Sequence, residues 1–210
     1  MIRIVLVDDH TIFREGLKRL LLDEGDFSVV AEACNGPEAL GAIRTHALDV
    51  LVLDISMPGR SGLDLIPSIR SEKPLLPIVV LSMYPAEQYA VRAFEAGASG
   101  YVTKDMDAVE LVASIRKVVQ GKRYFSPQVA EKVMDNLDRV NGQLPHRDLS
   151  SREYEIMRLI VQGVRLTEIG KQSFLSVKTV STYRSRILKK IGVTTNAELV
   201  QYALRHRLID

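Results

Sequence analysis

The chain has 210 residues, of which 46% are hydrophobic and 26% charged, and this length is enough for one large domain or two small ones. Its single cysteine, Cys34, excludes an internal disulfide, and without a signal peptide or a bilayer-spanning apolar run we expect a cytoplasmic chain with no membrane partner. The net charge of +2 combines an acidic front, with 12 basic and 17 acidic residues over 1–121, and a basic back, with 11 and 5 over 149–210.

The first 121 residues alternate between short apolar runs and segments with helical periodicity. The apolar runs lie at residues 2–7, 27–33, 50–53, 77–82 and 100–103. Near-continuous apolar strands separated by helices are typical of a parallel sheet that is covered on both faces. The pattern therefore predicts an α/β domain over residues 1–121, with a doubly wound five-stranded parallel sheet.

After Gly121 the alternation stops. We expect a linker over residues 122–148 that contains one helix, at residues 127–141. Residues 149–210 then predict a small all-α domain of four helices, the second near residues 167–173 and the third over 176–191. Their ends are marked by capping boxes at Ser150–Glu153 and Thr195–Glu198 and by Gly163 and Gly192. A tight turn between the second and third helices is typical of a helix-turn-helix module.

Three carboxylates are predicted to meet at one edge of the sheet. Asp8 and Asp9 follow the first strand and Asp54 follows the third, and these two strands are neighbours in the commoner five-stranded order. Repulsion among the carboxylates would raise their pKa values unless a cation lies between them. Mg²⁺ fits this position because it prefers oxygen ligands and takes only one or two carboxylates directly.

Ser82 and Lys104 complete this pattern, since Ser82 ends the fourth strand and Lys104 follows the fifth. Acids, a hydroxyl and an ammonium at one sheet edge suit phosphoryl transfer onto a carboxylate, because the metal and the lysine neutralise oxygens and the serine donates a hydrogen bond. Each residue alone has an ordinary structural explanation. Their occurrence in this order at four strand ends favours the functional interpretation.

Residues 1–121 resemble a response-regulator receiver domain in the Asp-Asp pair, "LVLDISMPGRSG", "LS" and "GYVTK". The resemblance implies that Asp54 accepts a phosphoryl group from a histidine kinase. It implies a Mg²⁺ site formed by Asp8, Asp9, Asp54 and the Ser56 backbone carbonyl. It also implies that Ser82 and Tyr101 form the switch pair and that Lys104 contacts the phosphoryl oxygens. Asp9 would bind the metal directly and Asp8 largely through water.

Three features near this pocket depart from the receiver pattern or leave alternatives open. Many receivers have Lys-Pro with a cis bond where this chain has Lys104-Asp105, so the isomer here stays open. Tyr101 could equally be fixed packing with its hydroxyl in water. His10 is expected at the start of the first helix, near the pocket rim, and not as a metal ligand.

Residues 149–210 resemble the helix-turn-helix of NarL/FixJ regulators, also called LuxR-type, in "LSSREYEIMRLIVQG", "TEIG" and "LSVKTVSTYRSRILKKIGV". The subgroup that contains BvgA and GacA is the most similar. Gly170 and Ser173 replace the more usual Ala and Leu, and we expect Phe174 to supply the apolar contact that these smaller side chains cannot make.

At 100° per residue the helix over residues 176–191 has two faces. The apolar one consists of Val177, Val180, Ile187, Leu188 and Ile191. DNA contacts are predicted at Lys178, Thr179, Ser181, Thr182, Ser185, Arg186, Lys189 and Lys190, with Arg186, Lys189 and Lys190 on phosphates. Arg184 is expected first to pair with an acid such as Glu153 or Glu168, and only second to contact a phosphate. Leu199, Val200 and Ala203 of the last helix form either a dimer contact or part of the core.

The sequence therefore predicts a transcriptional regulator whose DNA binding is controlled by phosphorylation of Asp54, and which turns over no external substrate. The expected partners are duplex DNA, a histidine kinase, a second copy of the chain and RNA polymerase. An aspartate-nucleophile phosphatase is a weaker alternative, because it needs D-x-D after the first strand and this chain has D-D. A signalling adaptor is the other alternative, and salt-dependent affinity for DNA would exclude it.

Overall fold

The structure is a computed structural model that describes residues 1–57, 61–84, 86–125, 144–206 and 208, with the backbone alone at 86–88 and 147. The chain divides into two compact units, Met1–Asp138 and Arg139–Asp210. The predicted helix over residues 127–141 lies outside the described residues. No described helix is both long and apolar enough to cross a membrane.

The first unit contains one parallel sheet of five strands in the order β2-β1-β3-β4-β5. The strands are β1 (Ile2–Val7), β2 (Phe27–Ala33), β3 (Val50–Asp54), β4 (Ile78–Ser82) and β5 (Gly100–Thr103). The predicted α/β fold is confirmed, and each strand agrees with its apolar run to within one residue. Successive residues of β3 and β4 are buried on both faces, which explains why these runs are continuous and do not alternate.

Five helices follow the strands of this unit in turn: α1 (Thr11–Asp23), α2 (Gly36–Thr45), α3 (Gly62–Glu72), α4 (Ala86–Ala96) and α5 (Ala108–Val119). Helices α1 and α5 cover one face of the sheet, where Leu17, Leu21 and Ile115 join a common apolar cluster with Leu6 and Val52. Right-handed crossovers place α2, α3 and α4 on the opposite face.

The second unit is helical, as predicted. A 3₁₀ helix, Pro145–Asp148, precedes α6 (Ser151–Val161), α7 (Leu166–Gln172), α8 (Val177–Ile191) and α9 (Asn196–Arg205). Both predicted capping boxes are present at the starts of α6 and α9. Gly192 ends α8 with a φ of 80°, a left-handed conformation that costs glycine little.

The core of the second unit lies between these four helices. Its fully buried side chains are Ile156, Met157, Ile169, Val180, Ile187, Leu199 and Ala203. One predicted core residue is wrong: Val177 is 46% exposed, because it lies in the first turn of α8, before the helix meets the core. Leu199 and Ala203 are buried in this core, so the alternative that they form a dimer contact is excluded for these two residues.

Candidate functional site

The register of the sheet brings the predicted pocket residues to one edge. Val7 pairs with Leu53, and Asp54 with Leu81, so the chain leaves β1, β3 and β4 at the same level. The backbone N–H of Lys104 donates to the carbonyl of Ser82 at 2.7 Å, which continues the pairing of β4 and β5 beyond the last strand residue. Asp8, Asp54, Ser82 and Lys104 therefore lie at the carboxyl edge of the sheet, as the sequence predicts.

Gly62 allows the start of α3 to lie close to the carboxyl end of β3. A Cβ atom at position 62 would lie 2.1 Å from the backbone oxygen of Asp54, so only glycine lets α3 begin this close to the end of β3. The Ser61 hydroxyl donates to the Ile55 carbonyl at 3.1 Å and holds the same approach. The loop after Asp54 is thereby packed against the strand that carries it.

Lys104 bridges two buried carboxylates. Its Nζ atom lies 2.7 Å from Oδ2 of Asp8 and 2.8 Å from Oδ2 of Asp54, and the three side chains are at most 4% exposed. Burial raises the pKa of Asp54, and the charge of Lys104 offsets only part of this effect. Burial opposes the charge of Lys104 too, but the two carboxylates outweigh it and raise the pKa of the ammonium. The lysine therefore stays charged and favours the ionised form of Asp54.

The second oxygen of each buried carboxylate is held by a backbone N–H group. Oδ1 of Asp8 accepts from the N–H of His10 at 2.8 Å, and Oδ1 of Asp54 accepts from the N–H of Ser56 at 3.0 Å. These bonds orient both carboxylates without adding a formal charge. The Ser56 residue thus lies directly beside Asp54, where the resemblance expects its carbonyl to bind a metal.

Asp9 is the member of the acidic set that lacks such a partner. Its Oδ1 atom is buried and has no hydrogen-bond donor among the described residues other than Nδ1 of His10, at 3.0 Å. One ligand-capable atom from each of Asp8, Asp9, His10 and Asp54 lies within 4.8 Å of the other three. Oxygen donors around an under-satisfied carboxylate fit a hard divalent cation such as Mg²⁺. The imidazole of His10 is 60% exposed at the rim, where the sequence places it.

Ser82 and Tyr101 are both connected to Tyr84. The Ser82 hydroxyl accepts from the N–H of Tyr84 at 2.9 Å, and the Tyr101 hydroxyl donates to the Tyr84 carbonyl at 2.9 Å. Tyr101 is 1% exposed, so the alternative that leaves its hydroxyl in water is wrong. The two residues of the expected switch pair thus meet on one loop residue, which the sequence analysis did not identify.

Arg14 is a second residue that the sequence analysis missed. Its Nη1 atom donates to the backbone carbonyl of Asp8 at 2.5 Å, while its Nε atom pairs with Glu32 of β2 at 3.0 Å. Arg14 therefore ties the loop after β1 to the neighbouring strand. Its place in the first turn of α1 is the available sequence signal.

The Lys104–Asp105 bond, whose isomer the sequence left open, is trans.

The predicted DNA face of α8 is exposed. Lys178, Ser181, Thr182, Ser185, Arg186 and Lys189 are all exposed, and Thr179 is half-buried. The hydroxyls of Thr182 and Ser185 donate to the carbonyls of Lys178 and Ser181, four residues earlier, at 3.0 and 3.1 Å. These hydroxyls are therefore available to a ligand as acceptors. Thr179 lies in the first turn and contacts the N-cap Ser176.

Two cations of α8 have intramolecular partners that differ from the predictions. Lys190 Nζ lies 2.6 Å from Oε2 of Glu153 and 3.0 Å from the carbonyl of Asp148, so it clamps the start of α6 and is not a free phosphate contact. Burial raises the pKa of Glu153, but Lys190 and the hydrogen bonds from Ser150 together outweigh it, and the pKa of this carboxyl is lowered. Arg184 pairs with neither expected acid, because its Nε atom donates to Oδ1 of Asn196 at 2.7 Å, at the start of α9.

The turn before α8 also differs from the prediction. Phe174 is 82% exposed, so it does not supply an apolar contact in place of the small side chain of Ser173. The small residue at position 170 has a direct reason instead: a Cβ atom on Gly170 would lie 2.8 Å from the backbone oxygen of Leu175. The glycine lets the turn pack against α7 without a larger side chain.

Comparison with known proteins identifies both units. The family model for the response regulator receiver domain matches residues 4–116, and the model for bacterial regulatory proteins of the luxR family matches residues 147–203. The chain is 36% identical to the response regulator UvrY of Escherichia coli K12, over 100% of this chain and 97% of the relative. It is also 36% identical to the oxygen regulatory protein NreC of Staphylococcus carnosus, over 99% of each chain.

Solved structures show the same similarity. A LuxR-family two-component response regulator from Aurantimonas is 40% identical, with a TM-score of 0.60, over 66% of this chain and 98% of the other. RcsB from Salmonella enterica serovar Typhimurium, bound to promoter P1flhDC with the phosphomimetic BeF₃⁻, is 26% identical. Its TM-score is 0.61, over 96% of this chain and 97% of the other.

The chain belongs to the two-component response regulators, in the NarL/FixJ family with a LuxR-type helix-turn-helix. It combines a receiver domain with a DNA-binding domain and is a phosphorylation-controlled transcription regulator.

Proposed function

We propose that Asp54 is the phosphoacceptor, that Mg²⁺ is held by Asp9, Asp54, the Ser56 carbonyl and, through water, Asp8, and that a histidine kinase is the donor. The observation that carries this proposal is the Lys104 ammonium, which contacts Asp8 and the fully buried Asp54 at the same edge. A buried carboxylate beside a fixed cation is suited to receive a group whose oxygens are negative.

The chain's own residues account for most of this reaction. The Asp54 carboxylate forms the new P–O bond as the bond from phosphorus to the donor breaks. Lys104 keeps Asp54 ionised before transfer and neutralises a phosphoryl oxygen afterwards, and the Ser82 hydroxyl lies at the neighbouring strand end to donate to another. When bound, Mg²⁺ supplies further positive charge for the phosphoryl oxygens. The chain turns over no external substrate, because its product is its own modified Asp54.

The proposal extends to the second unit and to the whole chain. Duplex DNA is the ligand of α8, whose exposed face offers Lys178, Ser181, Thr182, Ser185, Arg186 and Lys189. We assign the receiver to residues 1–121, the linker to 122–148 and the DNA-binding domain to 149–210, in a cytoplasmic protein that acts as a homodimer and contacts RNA polymerase. Phosphorylation adds about one to two negative charges to Asp54 and biases the receiver between two conformations. Similarity to DNA-bound RcsB and to UvrY supports this extension.

Incubation with Mg²⁺ and a small-molecule phosphodonor tests the phosphoacceptor. The wild-type chain should gain one acid-stable, base-labile phosphoryl group by mass spectrometry, and Asp54→Asn should gain none. Asp9→Ala should slow labelling by weakening the metal site, whereas Asp49→Asn, outside the pocket, should label like the wild type. Full labelling of Asp54→Asn under the same conditions would show that the acceptor is another residue.

A further inference from the structure

Phe174 has an unfavourable backbone conformation. Its φ is 53°, in the left-handed region that disfavours residues with a side chain. The other positive-φ positions of the described chain are all occupied by glycine, at Gly25, Gly97, Gly121, Gly163 and Gly192. The turn itself imposes the conformation on position 174, because the Leu175 N–H donates to the Gly170 carbonyl at 2.8 Å and the Phe174 N–H to the Lys171 carbonyl at 3.3 Å.

Packing within the unit does not compensate for this strain. The Phe174 side chain is 82% exposed, so a large apolar ring lies in water at a position where glycine or asparagine would fit better. A residue that is unfavourable in both backbone conformation and solvation indicates a use outside the fold.

The charge around Phe174 indicates the partner. Residues 169–197 contain Lys171, Lys178, Arg184, Arg186, Lys189 and Lys190 and no acidic residue, and the acid nearest to Phe174 in sequence, Glu168, lies 3.6 Å from Lys171 in an exposed pair. Phe174 lies between the exposed Lys171 and Lys178, and two residues before the N-cap of α8. A segment of one charge sign suits a polyanion better than a protein surface of mixed charge.

We infer that Phe174 is a DNA contact, and that its ring packs against apolar groups of the duplex at the edge of the groove that α8 enters. The inference rests on the proposed DNA binding by α8. Two apolar groups are available there, the C5-methyl group of thymine and the carbon atoms of the deoxyribose ring. The strained turn presents the ring ahead of the helix, and the flanking lysines hold the backbone phosphates beside it.

The test uses full-length protein, phosphorylated with Mg²⁺ and a small-molecule phosphodonor, and a duplex selected by the wild-type chain from a random pool. Phe174→Asn keeps the left-handed turn and removes the ring. It should bind this duplex about tenfold more weakly than the wild type, while its urea midpoint stays equal or rises. Phe174→Leu, which keeps an apolar side chain, should regain most of the affinity. Leu75→Asn, which removes an exposed apolar side chain of the receiver, should leave DNA affinity unchanged.

A duplex with deoxyuridine in place of thymidine separates the two apolar sources. If the ring contacts a thymine methyl group, wild-type affinity falls toward that of Phe174→Asn, whereas a contact with deoxyribose leaves the ratio of the two affinities unchanged. Wild-type affinity for Phe174→Asn would overturn the inference, and so would a lower urea midpoint, which would show that the ring stabilises the fold. Unchanged DNA affinity with reduced transcription would overturn it too and assign the ring to a protein partner. Failure of the wild-type chain to bind any duplex would instead refute the proposed function.

Discussion

In the receiver pocket, the side chains of Asp8, Asp54 and Lys104 are at most 4% exposed, whereas Lys178, Arg186 and Lys189 on α8 are exposed and form no ion pair with a described residue. Buried charges interact strongly and remain largely unscreened by salt, while exposed charges interact weakly until a partner arrives. The pocket therefore uses charge to fix geometry and reactivity, and α8 keeps its charge available for association. Substitutions in the two regions should accordingly change different measurements.

Removal of the buried cation should have the largest effect on stability. Lys104→Met leaves the Asp8 and Asp54 carboxylates without their shared counter-ion, which should lower the free energy of unfolding by about 3–5 kcal/mol without Mg²⁺. Added Mg²⁺ should restore part of this stability, because it binds the folded state. Urea unfolding provides the measurement. Lys189→Met, an exposed control, should change stability by less than about 0.5 kcal/mol, and equal effects of the two variants would remove the distinction between the regions.

On α8, substitutions of groove contacts and of phosphate contacts should have different effects on DNA affinity. Thr182→Val keeps the methyl group and removes the hydroxyl acceptor, so it should cost about 1–3 kcal/mol on a selected duplex and little on random DNA. Lys189→Ala should weaken binding on all sequences and reduce the slope of log affinity against log salt by about one. Equilibrium titrations at several salt concentrations distinguish the two. If Thr182→Val loses affinity equally on selected and random duplexes, α8 is not the element that reads the bases.

Lys190 connects the two kinds of charge, because it belongs to α8 but pairs with the buried Glu153. Lys190→Met should lower the free energy of unfolding by about 1–2 kcal/mol, since Glu153 and the Asp148 carbonyl lose a donor. Lys189→Met at the preceding position is the matched control and should be neutral in urea unfolding. If Lys190→Met leaves the free energy of unfolding unchanged but reduces the slope of log DNA affinity against log salt, Lys190 is a phosphate contact after all.

Removal of the exposed Arg3–Asp49 ion pair of the receiver should have the smallest effect on stability. Hydrogen bonds from Arg3 lower the pKa of Asp49 from 3.8 to about 2. Because the folded-state pKa is below the unfolded one, this pair stabilises the fold above pH 3.8 and loses its contribution as the pH falls toward 2. Asp49→Asn should therefore flatten the acid limb of the stability curve slightly. An unchanged acid limb would show that this pair contributes nothing measurable.

The sheet and the pocket were predictable because strand ends are marked in the sequence by a change from apolar to polar residues, as at Val7–Asp8 and Leu53–Asp54. The partners of individual side chains were less predictable. Lys190, Arg184 and Arg14 are long side chains whose reach depends on tertiary packing, and helical periodicity carries no information about it. Phe174 was misplaced because hydrophobic character predicts burial, whereas the left-handed turn that exposes it depends on the close approach of Gly170 to Leu175.

The central claim is that modification of Asp54 controls the DNA affinity of α8. The most direct measurement is the affinity of full-length wild-type protein and of Asp54→Asn for a selected duplex, each with Mg²⁺ and with or without a phosphodonor. The account predicts that the phosphodonor raises wild-type affinity by about 5–150-fold, the usual range of coupling between two sites, and leaves Asp54→Asn unchanged. An equal increase for both proteins, or no increase for the wild type, would contradict it.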